Sequence, residues 1–249
     1  MTRRRFYAPP EAFADGAGRV SLSPDETRHL RDVLRLRPGD EAYVFDGEGR
    51  EFACVLAESG GRGAGAVLEV RARAEPPSPE SPLELTLAVA LLKGEKFDLV
   101  VQKATELGVS RIAPVITRRA DVRLRDARDA EARVARWQRL ALEAAKQSGR
   151  ARVPSVEMPA PFESLVSREG ALRVLFAERG GASLGEVARG DAAEAVALVG
   201  PEGGWEAEEL EGARGRGWRL VTLGGRTLRA ETAAVVACAL VQHLFGDLN

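Results

Sequence analysis

The stretch LVGPEGGWEAEEL, residues 198–210, passes from an apolar run through a glycine-rich turn into an acidic segment. An apolar strand, a glycine-rich turn and a helix in this order are typical of an α/β sheet. Such turns commonly hold the phosphates of a ligand at the helix N-terminus. This turn carries four carboxylates, Glu202, Glu206, Glu208 and Glu209. They would repel a triphosphate, so the stretch indicates another class of ligand.

The alternation of apolar strands and helical stretches extends outward from this turn. Strands are predicted at residues 85–92, 111–116, 172–176, 195–199 and 219–223. EKFDLVVQKATELG and DAEARVARWQRLALEAAKQSG have the periodicity of amphipathic helices. The last helix, AETAAVVACALVQHLF, is rich in small residues, so it is either deeply buried or part of a tight subunit interface. The pattern predicts an α/β fold with a mainly parallel sheet.

The first 74 residues have a different pattern. Strand-like runs EAYVF, REFACVLA and AVLEVRARA, separated by glycine-rich turns, predict a small β domain with the shape of a barrel. Ser23, followed by Pro24 and by Glu26 reaching back, predicts a capping box before one short helix. EPPSPESP, residues 75–82, is too rich in proline to pack. It is predicted to link a first domain, residues 1–74, to a second, residues 83–249.

Composition limits the function classes. The 249 residues are 45% hydrophobic and 29% charged, and no apolar run approaches the roughly 20 residues of a membrane span. The start of the sequence lacks the apolar core of a signal peptide, so a cytoplasmic protein is expected. Cys54 and Cys238 have no metal-ligand spacing, and no metal is expected. The two histidines, His29 and His243, are interpreted as structural.

Local basic patches are compatible with the net charge of −1. Arginines cluster at residues 3–5, 28–37 and 118–125, and their planar guanidinium groups suit RNA phosphates and bases. The candidate RNA-binding residues are Arg3, Arg4, Arg5, Arg35, Lys93, Arg118, Arg119 and Arg150.

Three predicted strands are followed by loops with a Gly-Gly pair, namely AERGGAS, GPEGGWE and GGRTLRAET. Ligands of parallel α/β sheets bind beyond the carboxyl ends of the strands, so these loops are predicted to surround one ligand. The lysine of a P-loop and the G-x-G-x-x-G fingerprint are both missing. A nucleoside with a cationic centre, such as S-adenosylmethionine, fits these loops better than a triphosphate.

The third loop allows two interpretations. In one, Glu231 and Thr232 cap the last helix, and Arg226 and Arg229 pair with nearby acids. In the other, Arg229 stabilises a developing negative charge and Glu231 orients its guanidinium. The residues alone leave both open.

HLRDVLRLRPGD, KGEKFDLVVQKATELGV, EAAKQSGR, LVGPEGGW and LGGRTLRAETA resemble motifs of the bacterial small-subunit ribosomal RNA uridine N3-methyltransferases of the SPOUT superfamily. The resemblance covers both predicted domains in order. It implies a PUA-like RNA-binding barrel, a second domain with a deep trefoil knot, and a homodimer that builds each active site. It also implies S-adenosylmethionine as methyl donor and a uridine in the decoding region of the 16S ribosomal RNA as acceptor.

The resemblance assigns roles to individual residues. Those implied to bind the cofactor are Phe176, Ala177, Glu178, Leu198, Val199, Gly200, Pro201, Glu202, Gly203, Gly204, Leu223, Gly224, Arg226, Leu228 and Arg229. The implied catalytic residues are Arg229, Glu231 and Thr232. The sequence departs from the family pattern at Lys146, Trp205, Glu206 and Thr227. Two alternatives are a SPOUT ribose 2′-O-methyltransferase and a ribosome-assembly RNA binder without catalysis.

Overall fold

The computed structural model describes residues 3–13, 18–61, 64–168, 172–187 and 192–248. The chain forms two compact units. Unit 1 comprises Met1–Glu80 and Ala145–Val153, and unit 2 comprises Ser81–Ala144 and Pro154–Asn249. Among the described residues, no helix is long and apolar enough to cross a membrane.

Unit 1 is built on a five-stranded sheet with the strand order β1-β3-β4-β5-β2. The strands are β1 (Arg5–Tyr7), β2 (Arg19–Ser21), β3 (Glu41–Phe45), β4 (Glu51–Glu58) and β5 (Val67–Ala74). β1 pairs with β3 in parallel, and the other pairs are antiparallel. Phe6, Leu30, Val44, Leu56 and Leu68 are buried in the core of this unit. The predicted small β domain is therefore present.

One short helix, α1 (Pro24–Arg28), continues into a π-helical turn, His29–Val33. The Ser23 hydroxyl accepts a hydrogen bond from the Glu26 N–H at 3.3 Å, as predicted for the cap. The reciprocal half of the predicted capping box is wrong. The Glu26 carboxylate instead accepts a hydrogen bond from Lys146 Nζ at 2.7 Å, because a cation is a stronger donor than a backbone amide.

The segment 145–153 supplies partners to the rest of unit 1. The Arg150 guanidinium, 4% exposed, pairs with the Glu80 carboxylate at 2.6 Å. Ser78 Oγ donates to the Ser148 carbonyl at 2.8 Å. The stretch predicted to be a linker is thus held along residues 78–80. The sequence-based division had placed the segment 145–153 in the second domain.

Unit 2 contains a seven-stranded sheet with the order β12-β10-β11-β6-β7-β8, in which β9 also pairs with β7. The strands are β6 (Glu84–Ala90), β7 (Arg111–Ile116), β8 (Ser155–Val156), β9 (Ala160–Pro161), β10 (Leu172–Phe176), β11 (Glu194–Val199) and β12 (Arg219–Val221). Every pair is parallel. The predicted α/β fold with a parallel sheet is confirmed. The trefoil knot implied by the resemblance stays a prediction.

Six helices accompany this sheet in the described residues. They are α2 (Lys96–Glu106), α3 (Ala127–Ser148), α4 (Phe162–Val166), α5 (Leu184–Val187), α6 (Ala207–Gly215) and α7 (Ala230–Phe245). The small residues Ala234, Ala237 and Cys238 of α7 are fully buried, and α7 packs on α2 and on the central strands. Burial within the unit therefore accounts for these three small residues, and the alternative of a subunit interface stays a prediction.

Candidate functional site

A cavity of about 270 Å³, here called the glycine-loop cavity, opens at the carboxyl ends of β10, β11 and β12. These strands are neighbours and parallel, so the loops that follow them emerge at one edge of the sheet. The lining residues are Phe176, Ala177, Glu178, Val199, Gly200, Pro201, Glu202, Gly204, Trp205, Leu223, Gly224, Arg226, Thr227, Leu228, Arg229, Ala230 and Ala233. The three predicted loops therefore meet around one cavity.

Two of the residues implied to bind a cofactor do not line the glycine-loop cavity. Leu198 is fully buried in the core beneath it. Gly203 packs against Arg119: a Cβ added at position 203 would lie 3.0 Å from the Cβ of Arg119. Among the implied catalytic residues, Arg229 lines the cavity, and Glu231 and Thr232 do not.

Four lining residues were absent from the predicted set: Trp205, Thr227, Ala230 and Ala233. Ala230 and Ala233 lie three positions apart on α7, so they share the helix face that follows Arg229. This helical spacing could have identified both from the sequence. Trp205 and Thr227 stood out only as departures from the family pattern.

Two glycines of the β11 loop allow approaches that a side chain would block. Gly204 has a φ of +71°, and a Cβ there would lie 2.7 Å from Glu178 Oε1. A Cβ at Gly200 would lie 2.8 Å from the indole ring of Trp205. Glycine therefore suits the left-handed backbone at position 204, and at position 200 it lets the Trp205 indole lie against the backbone of the loop.

Trp205 connects two walls of the glycine-loop cavity. Its indole Nε1 donates to the Phe176 carbonyl at 2.9 Å, and its side chain is almost completely buried. Its ring centroid lies 5.4 Å from that of Phe162. The indole thus fixes the loop after β11 to the last residue of β10.

The acidic turn has cationic partners. Glu202 accepts a hydrogen bond from Lys96 Nζ at 2.8 Å, which raises the pKa of Lys96. Glu206 accepts from Arg119 Nε at 2.7 Å, and this hydrogen bond lowers the pKa of Glu206. These pairs leave the turn with less free negative charge than the sequence indicates, so repulsion of a triphosphate is weaker than expected.

The remaining two carboxylates of the turn belong to α6. Glu208 pairs with Arg118 Nη1 at 3.2 Å. The buried Glu209 accepts from the Glu206 N–H at 2.9 Å and completes a capping box with the Glu206 side chain. Their place at the helix N-terminus also suits the helix dipole. They stabilise the helix and do not line the cavity.

The loop after β12 carries two exposed arginines. In the described part of the chain, neither Arg226 nor Arg229 forms an ion pair or a side-chain hydrogen bond. Arg229 is the N-cap residue of α7, and no side chain caps this helix. Capping by Glu231 or Thr232 and pairing of the arginines are therefore not observed. Glu231 does not hydrogen-bond Arg229 either, and its Oε2 atom is buried without a partner.

Two of the candidate RNA-binding residues are buried inside unit 1. Arg5, 8% exposed, pairs with Glu51 at 2.7 Å and lies over the Phe45 ring. Arg150 pairs with Glu80, as described above. Both guanidinium groups are engaged within the unit and are not presented at its surface.

The other candidate RNA-binding residues are at least partly exposed. In unit 1, Arg4 and Arg35 are exposed, and the half-exposed Arg3 stacks on Tyr43. In unit 2, Lys93, Arg118 and Arg119 are exposed, although each pairs with a carboxylate.

The histidines and cysteines have structural surroundings. The His29 ring meets Phe6 edge-on at 6.0 Å, and His243 Nδ1 lies 2.7 Å from the Leu248 carbonyl. Burial raises the pKa of the Cys54 and Cys238 thiols to about 12. Within the described residues, no group of three or more metal-ligating side chains occurs.

Family models match both parts of the chain. An RNA methyltransferase domain matches residues 79–242, and an RNA methyltransferase PUA domain matches residues 22–68. Ribosomal RNA small subunit methyltransferase E of Synechocystis sp. is 33% identical over 246 residues, which cover 96% of this chain and 77% of that protein. The protein of the same name from Mycobacterium tuberculosis is 32% identical, with 97% and 92% covered.

Solved structures share the fold over the full length. The crystal structure of a ribosomal RNA small subunit methyltransferase E from Neisseria gonorrhoeae, bound to S-adenosyl methionine, is 35% identical with a TM-score of 0.86. A putative methyltransferase from Legionella pneumophila, in complex with the bound cofactor SAM, is 29% identical with a TM-score of 0.87. Each comparison covers 100% of both chains. With its methyltransferase and PUA domains in this order, the chain belongs to the ribosomal RNA small subunit methyltransferase E family.

Proposed function

We propose that this chain transfers a methyl group from S-adenosylmethionine to N3 of a uridine in the decoding region of the 16S ribosomal RNA. The observation that carries the proposal is the meeting of three glycine-rich loops around one cavity, with the unpaired Arg229 on its wall. Family membership and the donor-bound relatives support the same assignment.

The glycine-loop cavity fits the methyl donor. Its apolar side chains, including Leu223, Leu228 and Ala233, suit an adenosine, and its loops offer backbone N–H and C=O groups. The Glu178 carboxylate on the wall favours a ligand with a positive charge, and the described lining residues include no lysine. When bound there, S-adenosylmethionine supplies an electrophilic methyl group on a sulfonium.

Arg229 is proposed to act on the acceptor base. The neutral imide nitrogen of uracil has no available lone pair, so N3 must lose its proton before it can be methylated. The resulting negative charge spreads to O2 and O4. A guanidinium without a competing carboxylate can stabilise this charge as it develops, and holding both reactants in line supplies proximity.

The exposed arginines and lysine are proposed to bind the RNA. Arg3, Arg4 and Arg35 of unit 1 would contact phosphates or bases, and so would Lys93, Arg118 and Arg119 of unit 2. A cytoplasmic location, where ribosomal subunits are found, is part of the proposal. A homodimer, as the resemblance implies, is part of the proposal.

The test is methyl transfer to small ribosomal subunits that lack the modification, followed by mass spectrometry of the released nucleosides. N3-methyluridine is the expected product. A ribose-methylated nucleoside would identify a 2′-O-methyltransferase, and RNA binding without transfer would identify a non-catalytic binder. Calorimetry with the methyl donor and with ATP completes the test, because ATP should not bind to loops that lack a phosphate-binding lysine.

A further inference from the structure

A second cavity in unit 2, here called the lysine cavity, has a volume of about 700 Å³. It is lined by Lys93, Gly94, Glu95, Lys96, Asp98, Leu99, Gln102, Leu140 and Glu231. Two observations place it beside the glycine-loop cavity. Lys96 in one wall binds Glu202 of the other cavity at 2.8 Å, and Glu231 directly follows Arg229 and Ala230, which line the other cavity. The first turn of α7 thus borders both cavities.

Several polar groups around the lysine cavity have partners within unit 2. Lys93 pairs with Asp121 at 2.8 Å. Asp98 accepts hydrogen bonds from Trp137 Nε1 at 3.1 Å and from Arg136. Glu231 Oε2 is buried and has no hydrogen-bond partner in the described part of the chain. A buried carboxylate oxygen without a donor is costly, so a ligand that supplies an N–H would relieve this cost.

We propose that the lysine cavity receives the acceptor uracil and that Glu231 is the base that removes its N3 proton, an inference that rests on the proposed function. The N3–H bond breaks, its electron pair stays on N3, and the proton passes to the Glu231 carboxylate. N3 then forms a bond to the methyl carbon as the bond from that carbon to the sulfonium sulfur breaks. The proton leaves Glu231 to solvent, and the carboxylate is restored.

Charged side chains of both signs surround Glu231. The lysine cavity presents the ammonium groups of Lys93 and Lys96 as well as the carboxylates of Glu95 and Asp98, and Arg229 precedes Glu231 on its own segment. The charges of Glu231 and Arg229 both act on Lys96. The exposed Lys93 can also pair with a phosphate of the nucleotide whose base enters the cavity.

Glu231 also accounts for a choice between pyrimidines. Uracil carries a hydrogen on N3, which a carboxylate oxygen can accept. Cytosine has a lone pair at N3, which would face the carboxylate without a proton between them. Glu231 is therefore a specificity-determining residue as well as a base.

The test replaces Glu231 by glutamine, which keeps the shape but is a much weaker base. Single-turnover methyl transfer to unmodified small subunits at saturating donor should slow by about 10²–10⁴-fold near neutral pH, the usual contribution of a general base. The deficit should narrow as the pH rises, because hydroxide then removes the N3 proton. Donor affinity should stay unchanged. Glu106→Gln, which alters an exposed carboxylate at the end of α2 paired with Lys103, is the matched control and should behave like the wild type.

A second measurement compares subunits that carry uridine or cytidine at the target position. The wild-type protein should prefer uridine, and Glu231→Gln should reduce this preference, because its amide N–H can donate to cytosine N3. If Glu231→Gln does not fold, Glu231→Asp should give a slower transfer with the wild-type pH profile.

Three outcomes would overturn the inference: a normal rate in Glu231→Gln, a deficit that is the same at every pH, or a loss of donor binding. Failure of the proposed function is detected separately, because the wild-type protein would then produce no N3-methyluridine.

Discussion

Replacing Trp205 by phenylalanine tests whether this residue shapes the glycine-loop cavity or only stabilises unit 2. The substitution removes the hydrogen bond of 2.9 Å to the Phe176 carbonyl and leaves that buried acceptor without its indole partner. The expected loss is about 1–3 kcal/mol of unfolding free energy. For a chain of this size, each kcal/mol lowers Tm by about 2–4 °C, so a decrease of about 2–12 °C is expected.

Trp218→Phe is the matched control. Trp218 lies in the same core cluster, and its Nε1 donates to the Val166 carbonyl at 3.0 Å, but it does not line the cavity. The two substitutions should therefore destabilise the protein by similar amounts. Only Trp205→Phe should weaken binding of the methyl donor, by about tenfold, because it frees the end of β10 and reshapes the wall.

The assay combines thermal unfolding with calorimetric titration of the methyl donor for the wild type and both variants. If Trp205→Phe and Trp218→Phe lose stability equally and bind the donor equally well, Trp205 is only a core residue. The inference that Trp205 shapes the cavity by fixing the loop after β11 to the end of β10 would then be refuted.

Three other changes test separate parts of the site. Arg229→Ala should lower the single-turnover rate of methyl transfer by about 10²–10³-fold, and Arg229→Lys should restore it partly. If Arg229→Ala instead keeps a normal rate but loses affinity for the methyl donor, Arg229 is a cofactor ligand. Replacing Arg4 and Arg35 by alanine should weaken RNA binding in filter-binding titrations without changing the affinity for the methyl donor. A plot of the logarithm of the RNA-binding constant against the logarithm of the salt concentration should become shallower by about 0.7 for each single-strand phosphate that is no longer bound. The hydrogen bond from Arg119 lowers the pKa of Glu206 in the folded state. The pair therefore stabilises the turn at pH values above the usual glutamate pKa of about 4.3, and this stabilisation is lost as the pH falls through the lowered pKa. Donor affinity should decrease over that acidic range in the wild type and less steeply in Arg119→Gln; identical pH profiles would contradict a role for the pair.

Local patterns were sufficient for much of the fold. The apolar runs predicted β7 and β10 with the bounds that the structure shows, Arg111–Ile116 and Leu172–Phe176. β12 ends at Val221, two residues earlier than predicted, since Thr222 turns toward the β10 loop and its Oγ1 accepts a hydrogen bond from the Gly181 N–H at 3.0 Å. Parallel strands bring their carboxyl ends together, so the three loops of the glycine-loop cavity could also be predicted.

Long-range pairing could not be predicted from local patterns. Arg150 and Glu80 are separated by 70 residues, and an arginine with no visible partner looks like an RNA-binding residue. Lys146 and Glu26 are separated by 120 residues, and the sequence indicated only the local cap. The unpaired oxygen of Glu231 likewise depends on which side chains surround it in three dimensions. No motif of one segment contains that information.

The discontinuity of unit 1 affects how the chain folds during synthesis. Glu26 and Glu80 find their cationic partners in Ala145–Val153, so unit 1 is incomplete when residue 80 leaves the ribosome. The 73 residues from 81 to 153 must be translated first, which takes about 4–15 s at bacterial rates of roughly 5–20 residues per second. During that interval the nascent unit carries unpaired carboxylates and an incomplete surface that chaperones can bind. Expression of residues 1–80 alone would make this transient state permanent.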